Sequence, residues 1–171
     1  MKVYLAGPVL LNNYEASCHW REVATDVADD CGWEALNPIA DSLSWSDGYR
    51  DLIVDRDLQM LKDSDLVVVN WLDKMNTVGT PMEMVYAKIY EIPCVVFAND
   101  PTIAANLEEN AWLMRHNSLS IVKTFNVDNL TDILEWFDSE AKSIRISGPV
   151  KNDPYANLEK SPFGTRGPSA F

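Results

Sequence analysis

The chain alternates short runs of apolar, mostly β-branched residues with longer stretches in which apolar residues recur at helical spacing. The first three runs are Val3 to Ala6, Trp33 to Leu36 and Leu66 to Trp71, and helical patterns over Glu15 to Asp30 and Tyr49 to Leu61 separate them. In the second helical pattern, the spacing places Leu52, Ile53, Leu58 and Leu61 on one inward face. This periodicity predicts strands and amphipathic helices in alternation. Strands joined through helices run parallel and are buried on both faces, so the pattern predicts an α/β fold with a parallel sheet.

The second half of the chain continues the alternation. The elements predicted there are strands at Pro93 to Ala98 and Leu119 to Lys123, and helices from Thr80, around Ala104 to Met114 and from about Asp128 to Ala141. From Ser147 on, Gly, Pro, Asn and Ser dominate the sequence. We therefore expect one domain over residues 1–146 and an irregular tail over residues 147–171.

The net charge, the apolar runs and the cysteines limit the kinds of ligand and compartment that the sequence favours. The 171 residues carry a formal net charge of −12, whereas a nucleic-acid partner calls for clustered Lys and Arg, so a small-molecule ligand is favoured. The first apolar run is too short for a signal peptide, and no stretch approaches a membrane span. Cys18, Cys31 and Cys94 lack metal-ligand spacing, which favours reduced thiols in the cytoplasm. No metal-ligand cluster is visible in the sequence, and we expect no cofactor.

The segment Thr80-Pro81-Met82-Glu83 follows the most apolar strand and has two interpretations. In the first, it is a capping box, with Thr80 as N-cap, Pro81 at the first helical position and Glu83 reaching back to a backbone N–H. In the second, Glu83 lies at the carboxyl end of a strand, where α/β sheets bind their ligands, and meets a substrate. The two interpretations are compatible.

The predicted strand ends indicate where a ligand would bind. The first strand ends at Gly7-Pro8, the second at Asn37-Pro38 and the third at the loop before Thr80. Turn-forming residues at neighbouring carboxyl ends predict a crevice there. Asp57, on the helix before the third strand, is either a second acid of this crevice or a solvated charge paired with a nearby Arg.

Several of these segments, taken in order, resemble the nucleoside 2-deoxyribosyltransferase family. They are Tyr4-Leu5-Ala6-Gly7-Pro8, Asn37-Pro38, Asp57 with Asp65 after it, and Gly79-Thr80-Pro81-Met82-Glu83-Met84-Val85-Tyr86-Ala87. The resemblance extends from the first strand to about Phe97, and more weakly to about Lys123. It implies a flavodoxin-like, Rossmann-like three-layer sandwich with a five-stranded parallel sheet, and homo-oligomers, dimers or higher, whose active sites a neighbouring subunit completes.

The resemblance also implies roles for individual residues. The nucleophile corresponds to Glu83, the tyrosine that holds it to Tyr4, and the acid that engages the departing base to Asp57. An ionised carboxylate stabilises an oxocarbenium-like transition state and then forms a glycosyl ester. We expect the helix N-terminus to keep Glu83 ionised. The substrate-binding positions implied by the family motifs are Gly7, Pro8, Asn37, Gly79 and Thr80.

One position departs from the transferase pattern. Six residues before Glu83 stands Thr77, where many relatives that act on free nucleosides have an aspartate. Relatives that hydrolyse nucleoside 5′-monophosphates have a small hydroxyl residue there, which contacts the phosphate. A hydroxyl tolerates a phosphate, whereas an aspartate repels it. Thr77 therefore favours a nucleotide substrate, or else is an ordinary loop residue.

The contribution of a neighbouring subunit is expected from the segment Trp112 to Ser118. Asn117 is the first candidate. His116 is the second, as a general base, although a histidine at a helix end is more often a cap or packing residue. Trp45, Trp71 and Trp112 are candidates to stack on a base, and for Trp71 a place in the core is an equal alternative.

Taken together, the sequence predicts an enzyme that cleaves the N-glycosidic bond of a 2′-deoxyribonucleoside or its 5′-monophosphate through a covalent sugar on Glu83. The sugar then passes to another base or to water. The alternatives are a hydrolase specific for 5′-monophosphates, a nucleotide-binding module without turnover and, from the fold alone, a flavin carrier.

Overall fold

The computed structural model describes residues 1–9, 13–40, 50–71, 78–98, 102, 118–122 and 125–147. Five strands and four helices lie in these segments. In chain order they are β1 (Lys2–Ala6), α1 (Tyr14–Asp30), β2 (Glu34–Leu36), α2 (Arg50–Lys62), β3 (Leu66–Trp71), α3 (Gly79–Ile89), β4 (Cys94–Ala98), β5 (Ser118–Val122) and α4 (Val127–Ser147).

The five strands form one sheet in the order β2-β1-β3-β4-β5, and every neighbouring pair is parallel. This is the flavodoxin-like order, so the predicted fold class is confirmed. The strand order reverses between β1 and β3, where Tyr4 is in register with Val67 and Ala6 with Val69. Ligands of such sheets bind beyond the carboxyl ends of the strands at this reversal.

Side chains alternate along each strand and divide the core into two sides. On the side that we call the α1/α4 side, Leu5, Val68 and Phe97 pack with residues of α1 and α4. On the α2/α3 side, Tyr4, Val67 and Val96 pack with residues of α2 and α3. Strands β3 and β4 are buried almost throughout, as their continuous apolar sequences predict.

Two details of the predicted elements are wrong. Leu52 was expected on the inward face of α2 but is 54% exposed, whereas Ile53 and Leu61 are buried. Helix α4 continues beyond Ala141 to Ser147. The helix predicted around Ala104 to Met114 and the expected tail beyond Ser147 lie outside the described residues. None of the described helices is long and apolar enough to cross a membrane.

Candidate active site

A hydrogen bond between Tyr4 and Glu83 lies at the centre of the site. Tyr4, fully buried on β1, points to the α2/α3 side of the sheet. Its hydroxyl donates to Oε1 of Glu83 over 2.7 Å. The structure thus brings together the two residues that the resemblance assigns to the nucleophile and its holder, although they lie 79 positions apart in the chain.

The second carboxylate oxygen of Glu83 is enclosed and has no hydrogen-bond partner in the described part of the chain. Burial raises the pKa of Glu83 from 4.5 to about 7, while the Tyr4 hydrogen bond and the positive charge of Arg21 lower it and the charge of Asp57 raises it. Protonated and ionised forms of Glu83 therefore coexist near neutral pH. The expectation that the helix terminus keeps this carboxyl ionised is wrong, because burial raises its pKa.

The capping box predicted at Thr80 is also wrong. Helix α3 begins at Gly79, its N-cap is Val78, and no side chain caps it. Thr80 is inside the first turn and only 2% exposed. Glu83 is the fifth residue of the helix, where the effect of the dipole has faded. Its carboxylate reaches across to β1 rather than back to its own backbone.

Asp57 lies on α2 and forms an ion pair. Its Oδ1 accepts from Nη2 of Arg56 at 2.8 Å and from Nε at 3.0 Å. Nη2 of Arg56 also donates to the carbonyl of Pro38, which ties α2 to the segment after β2. The charge of Asp57 raises the pKa of both Tyr4 and Glu83, so it acts on the same site. Asp57 is therefore both paired with an Arg and electrostatically coupled to the site, so its two interpretations are compatible.

Arg21 is a buried residue of the site region that the sequence interpretation missed. It is 1% exposed on α1 and donates to the carbonyls of Leu5, Gly7 and Ser17 at 3.3, 2.7 and 2.7 Å. Burial lowers the pKa of Arg21 to about 10, and the negative charge of Glu83 partly offsets this effect. The signal was its place on the inward stripe of α1, with Ser17, Ala24 and Ala28.

Gly7 is required by close packing where β1 ends. A Cβ there would lie 2.8 Å from Cζ2 of Trp20 and 3.2 Å from the carbonyl oxygen of Asn70. Pro8 beside it is buried. Gly79 is exposed, and a Cβ on it would meet nothing within 4 Å. Packing thus accounts for Gly7, and the expected substrate contacts of these three residues stay predictions.

Asn37 lines a cavity next to β2. Its Oδ1 accepts from the backbone N–H of Ile39 at 3.1 Å, as in a turn. With residues of α1 and β2 it lines a cavity of about 620 Å³ that does not include Tyr4, Asp57 or Glu83 among its lining residues. The expected substrate contact of Asn37 stays a prediction.

Other predicted positions fall outside the described residues: Trp45, Thr77, Trp112, His116 and Asn117. Trp71 is half-buried and packs against the core of the α2/α3 side, which favours its alternative as a packing residue. In the described part of the chain, no group of three or more His, Cys, Asp or Glu residues is arranged to hold a metal ion.

Comparison with known proteins identifies the family. The nucleoside 2-deoxyribosyltransferase family model matches residues 3–130, three quarters of the chain. The chain therefore belongs to the nucleoside 2-deoxyribosyltransferase family. Members of this family transfer or release the base-linked sugar of nucleosides or nucleotides, which makes the protein one of a family of enzymes with small-molecule substrates. A search of curated protein sequences returns no match.

Solved structures share the fold. The 2-deoxyribosyltransferase of the psychrotolerant bacterium Bacillus psychrosaccharolyticus matches with a TM-score of 0.60 at 21% identity, over 77% of this chain and 90% of that one. A conserved protein of Enterococcus faecalis V583 matches with a TM-score of 0.55 at 15% identity, over 80% and 98%. The CMP N-glycosidase of Clostridium botulinum matches with a TM-score of 0.52 at 17% identity, over 82% and 99%.

Proposed function

We propose that the protein cleaves the N-glycosidic bond of a 2′-deoxyribonucleoside or of its 5′-monophosphate through a covalent sugar ester on Glu83. Family membership supports the reaction class. The observation that carries the assignment is the Glu83 carboxylate, whose Oε1 is held by Tyr4 while Oε2 has no partner in the described chain. A held carboxylate with one unengaged oxygen is suited to attack a sugar carbon.

In the first step, Oε2 of ionised Glu83 forms a bond to C1′ as the bond from C1′ to the base nitrogen breaks. The electron pair of the broken bond leaves with the base, which is protonated or receives a hydrogen bond. In the second step, a nitrogen of another base, or a water oxygen, attacks C1′ and the ester bond to Glu83 breaks. The carboxylate is regenerated, and the attacking group loses its proton.

Asp57 is the residue that we assign to the departing base. Its ion pair with Arg56 stabilises the charged carboxylate. To assist the departure of the base, Asp57 takes up a proton from water and donates it to a ring nitrogen of the base, and the regenerated carboxylate accepts the proton that the attacking base or water loses in the second step. The Arg56 contact to Pro38 holds Asp57 relative to the carboxyl end of β2.

A second candidate is hydrolysis of nucleoside 5′-monophosphates alone. Thr77 favours it, because a hydroxyl there tolerates a phosphate that an aspartate would repel. The CMP N-glycosidase that shares the fold shows that this scaffold accommodates such an activity in another protein. Transfer and hydrolysis differ in whether water is kept away from the glycosyl ester.

We also infer a homo-oligomer in which Asn117 reaches the site of a neighbouring subunit. On α3, the exposed apolar residues Met82, Val85 and Ile89 follow one another at helical spacing and offer an apolar surface close in sequence to Glu83. Light scattering of the purified protein tests this, since a monomer at assay concentration contradicts it.

The experiment that tests the function begins with a panel of deoxynucleosides and their 5′-monophosphates, incubated with and without a second free base. Chromatography of the products separates the two candidates. New nucleosides formed only with an acceptor base identify a transferase, whereas free base and sugar phosphate from monophosphates alone identify the hydrolase. Release of no base from any member of the panel contradicts the proposal.

Acid quenching of the reaction followed by mass spectrometry tests the covalent step. The peptide that contains Glu83 should carry the added mass of the sugar. Glu83→Gln should carry none, and neither should the same peptide of the wild-type protein incubated with free base alone. A sugar attached to another peptide would identify a different nucleophile.

A further inference from the structure

Arg21 is a buried cation, and no acid among the described residues is in hydrogen-bond contact with it. Its guanidinium donates to the three carbonyls of Leu5, Gly7 and Ser17, and its carbon atom Cζ lies 4.5 Å from the ring centre of Trp20. Among the described residues, no carboxylate forms an ion pair with it. Carbonyl groups satisfy its N–H donors but do not neutralise its charge, and an unneutralised charge in a protein interior is unfavourable.

Glu83 is the complementary case on the other side of the sheet. Its Oε2 is enclosed and unpartnered in the described chain, and its single described hydrogen bond comes from the neutral hydroxyl of Tyr4. The two groups are joined through β1, because Arg21 binds the carbonyl of Leu5, the residue after Tyr4. Each charge stabilises the other, as the opposite effects on the pKa of Arg21 and of Glu83 indicate.

The other groups that face Glu83 do not supply a positive charge. Tyr4 on β1 and Cys94 on β4 have raised pKa values and are neutral at physiological pH, the latter at about 12. Asp57 on α2 adds a negative charge. Arg21 on α1 is thus the cation that acts on Glu83 among the described groups that shift its pKa.

We propose that Arg21 is a positioning residue for Glu83: its guanidinium fixes the carboxyl end of β1 through backbone carbonyls and supplies the positive charge that stabilises the ionised carboxylate. The catalytic meaning of this assignment rests on the proposed function, in which ionised Glu83 is the nucleophile. The electrostatic coupling itself does not, because it is measurable without turnover.

A double-mutant cycle tests the coupling. The wild type, Arg21→Gln, Glu83→Gln and the double variant are unfolded with urea at pH 5 and at pH 8. Glutamine at position 21 keeps amide donors for the carbonyls but removes the charge. At pH 8 we expect Arg21→Gln to lower the folding equilibrium constant in both backgrounds. The fall should be at least about tenfold larger in the wild-type background than in the Glu83→Gln background. At pH 5, where Glu83 is largely protonated, the difference should disappear.

Arg21→Lys is the matched control for the charge. Because it keeps the charge but loses the planar set of donors, its coupling to Glu83→Gln at pH 8 should be much weaker than that of Arg21→Gln. An Arg21→Gln chain that folds only at pH 5, or only beside Glu83→Gln, supports the proposal. Two results would overturn the proposal, because they would show that the role of Arg21 is purely structural. One is an equal fall in the folding equilibrium constant on Arg21→Gln in the wild-type and Glu83→Gln backgrounds at pH 8. The other is a double variant that folds at neither pH.

Measurements of turnover distinguish the proposed role of Arg21 from the proposed function of the enzyme. If the wild type releases base, the acidic limb of its kcat/KM profile should move to higher pH in Arg21→Gln and stay near the wild-type position in Arg21→Lys. An unmoved limb in Arg21→Gln contradicts the positioning role. Coupling at pH 8 together with no base release from any substrate would retain the Arg21–Glu83 interaction and reject the proposed function instead.

Discussion

The two sides of the sheet are both packed with apolar side chains but differ in the buried charged group that each contains. On the α1/α4 side, apolar side chains such as Leu5, Phe97 and Leu134 fill the space, and the buried Arg21 has carbonyl acceptors for its donors. On the α2/α3 side, the same layer holds the carboxyl of Glu83 with an unpartnered oxygen. The apolar packing of the first side therefore contributes stability and its buried Arg21 acts on Glu83, whereas the second side retains an unfavourable buried group that is available for chemistry.

Glu83→Gln should give the largest effect on turnover. If turnover were unchanged, the α2/α3 side would not hold the reactive group and the comparison of the two sides would not stand. The amide is nearly the same size but is a very poor nucleophile, so kcat should fall at least about 10³-fold. Base release measured by chromatography checks the loss. Glu135→Gln, the same change on the exposed surface of α4, is the control and should keep wild-type turnover. Retention of more than a few per cent of activity by Glu83→Gln would place the nucleophile elsewhere.

Leu134→Ala should damage stability without damaging the chemistry. Leu134 is fully buried on α4, and the cavity left by the truncation should reduce the free energy of unfolding by about 3 kcal/mol. Urea unfolding measures the loss, while kcat of the folded protein should stay close to that of the wild type. Glu135→Ala on the neighbouring exposed position should change stability by less than about 0.5 kcal/mol. A large fall in kcat for Leu134→Ala would show that the apolar packing of the α1/α4 side also contributes to the chemistry.

Glu83→Gln should also make the protein more stable at alkaline pH. Glu83 ionises near 4.5 in the unfolded chain and near 7 in the folded one, so the folded state loses stability as the pH rises between these values. At about 1.4 kcal/mol for each pH unit, the full cost above pH 7 is about 3 kcal/mol.

The substitution should therefore raise the free energy of unfolding by about 2 to 3 kcal/mol at pH 8 and by less than about 1 kcal/mol at pH 5. The gain is smaller than the full cost of ionisation because the buried amide group also lacks a second hydrogen-bond partner. Urea titrations at the two pH values provide the measurement. An equal gain at both would mean that packing, rather than ionisation, is responsible.

Tyr4→Phe should have the smallest effect and sharpens the comparison within the α2/α3 side. The Tyr4 hydrogen bond lowers the pKa of Glu83, so its loss should move the acidic limb of kcat/KM upward by about one pH unit, which is about tenfold in rate at pH 6. The deficit should shrink at pH 9. Tyr86→Phe, on α3 itself, is the matched control. An equal deficit at all pH values would indicate that Tyr4 orients Glu83 without affecting its ionisation.

Much of the fold was predictable because periodicity is a local property. The apolar runs located β1, β3 and β4, and the helical spacing located α1 and α2 to within two residues at their ends. Leu52 fitted the same spacing and is nevertheless exposed, because propensity and period do not specify which neighbouring element covers a face. The start of α3 was misplaced for a related reason: Thr80 and Glu83 have the spacing of a capping box, yet Thr80 is buried inside the first turn and Glu83 binds the hydroxyl of Tyr4.

The sequence by itself determined the alternation of strands and helices, the family, and the candidates Tyr4, Asp57 and Glu83. Only the tertiary structure decided that Tyr4 and Glu83 share a hydrogen bond, that Asp57 pairs with Arg56, and that burial raises the pKa of Glu83 to about 7. It also decided that Arg21 is inside the protein. Hydrogen bonding, desolvation and charge coupling depend on groups that are close in space but far apart along the chain, and no local pattern records them.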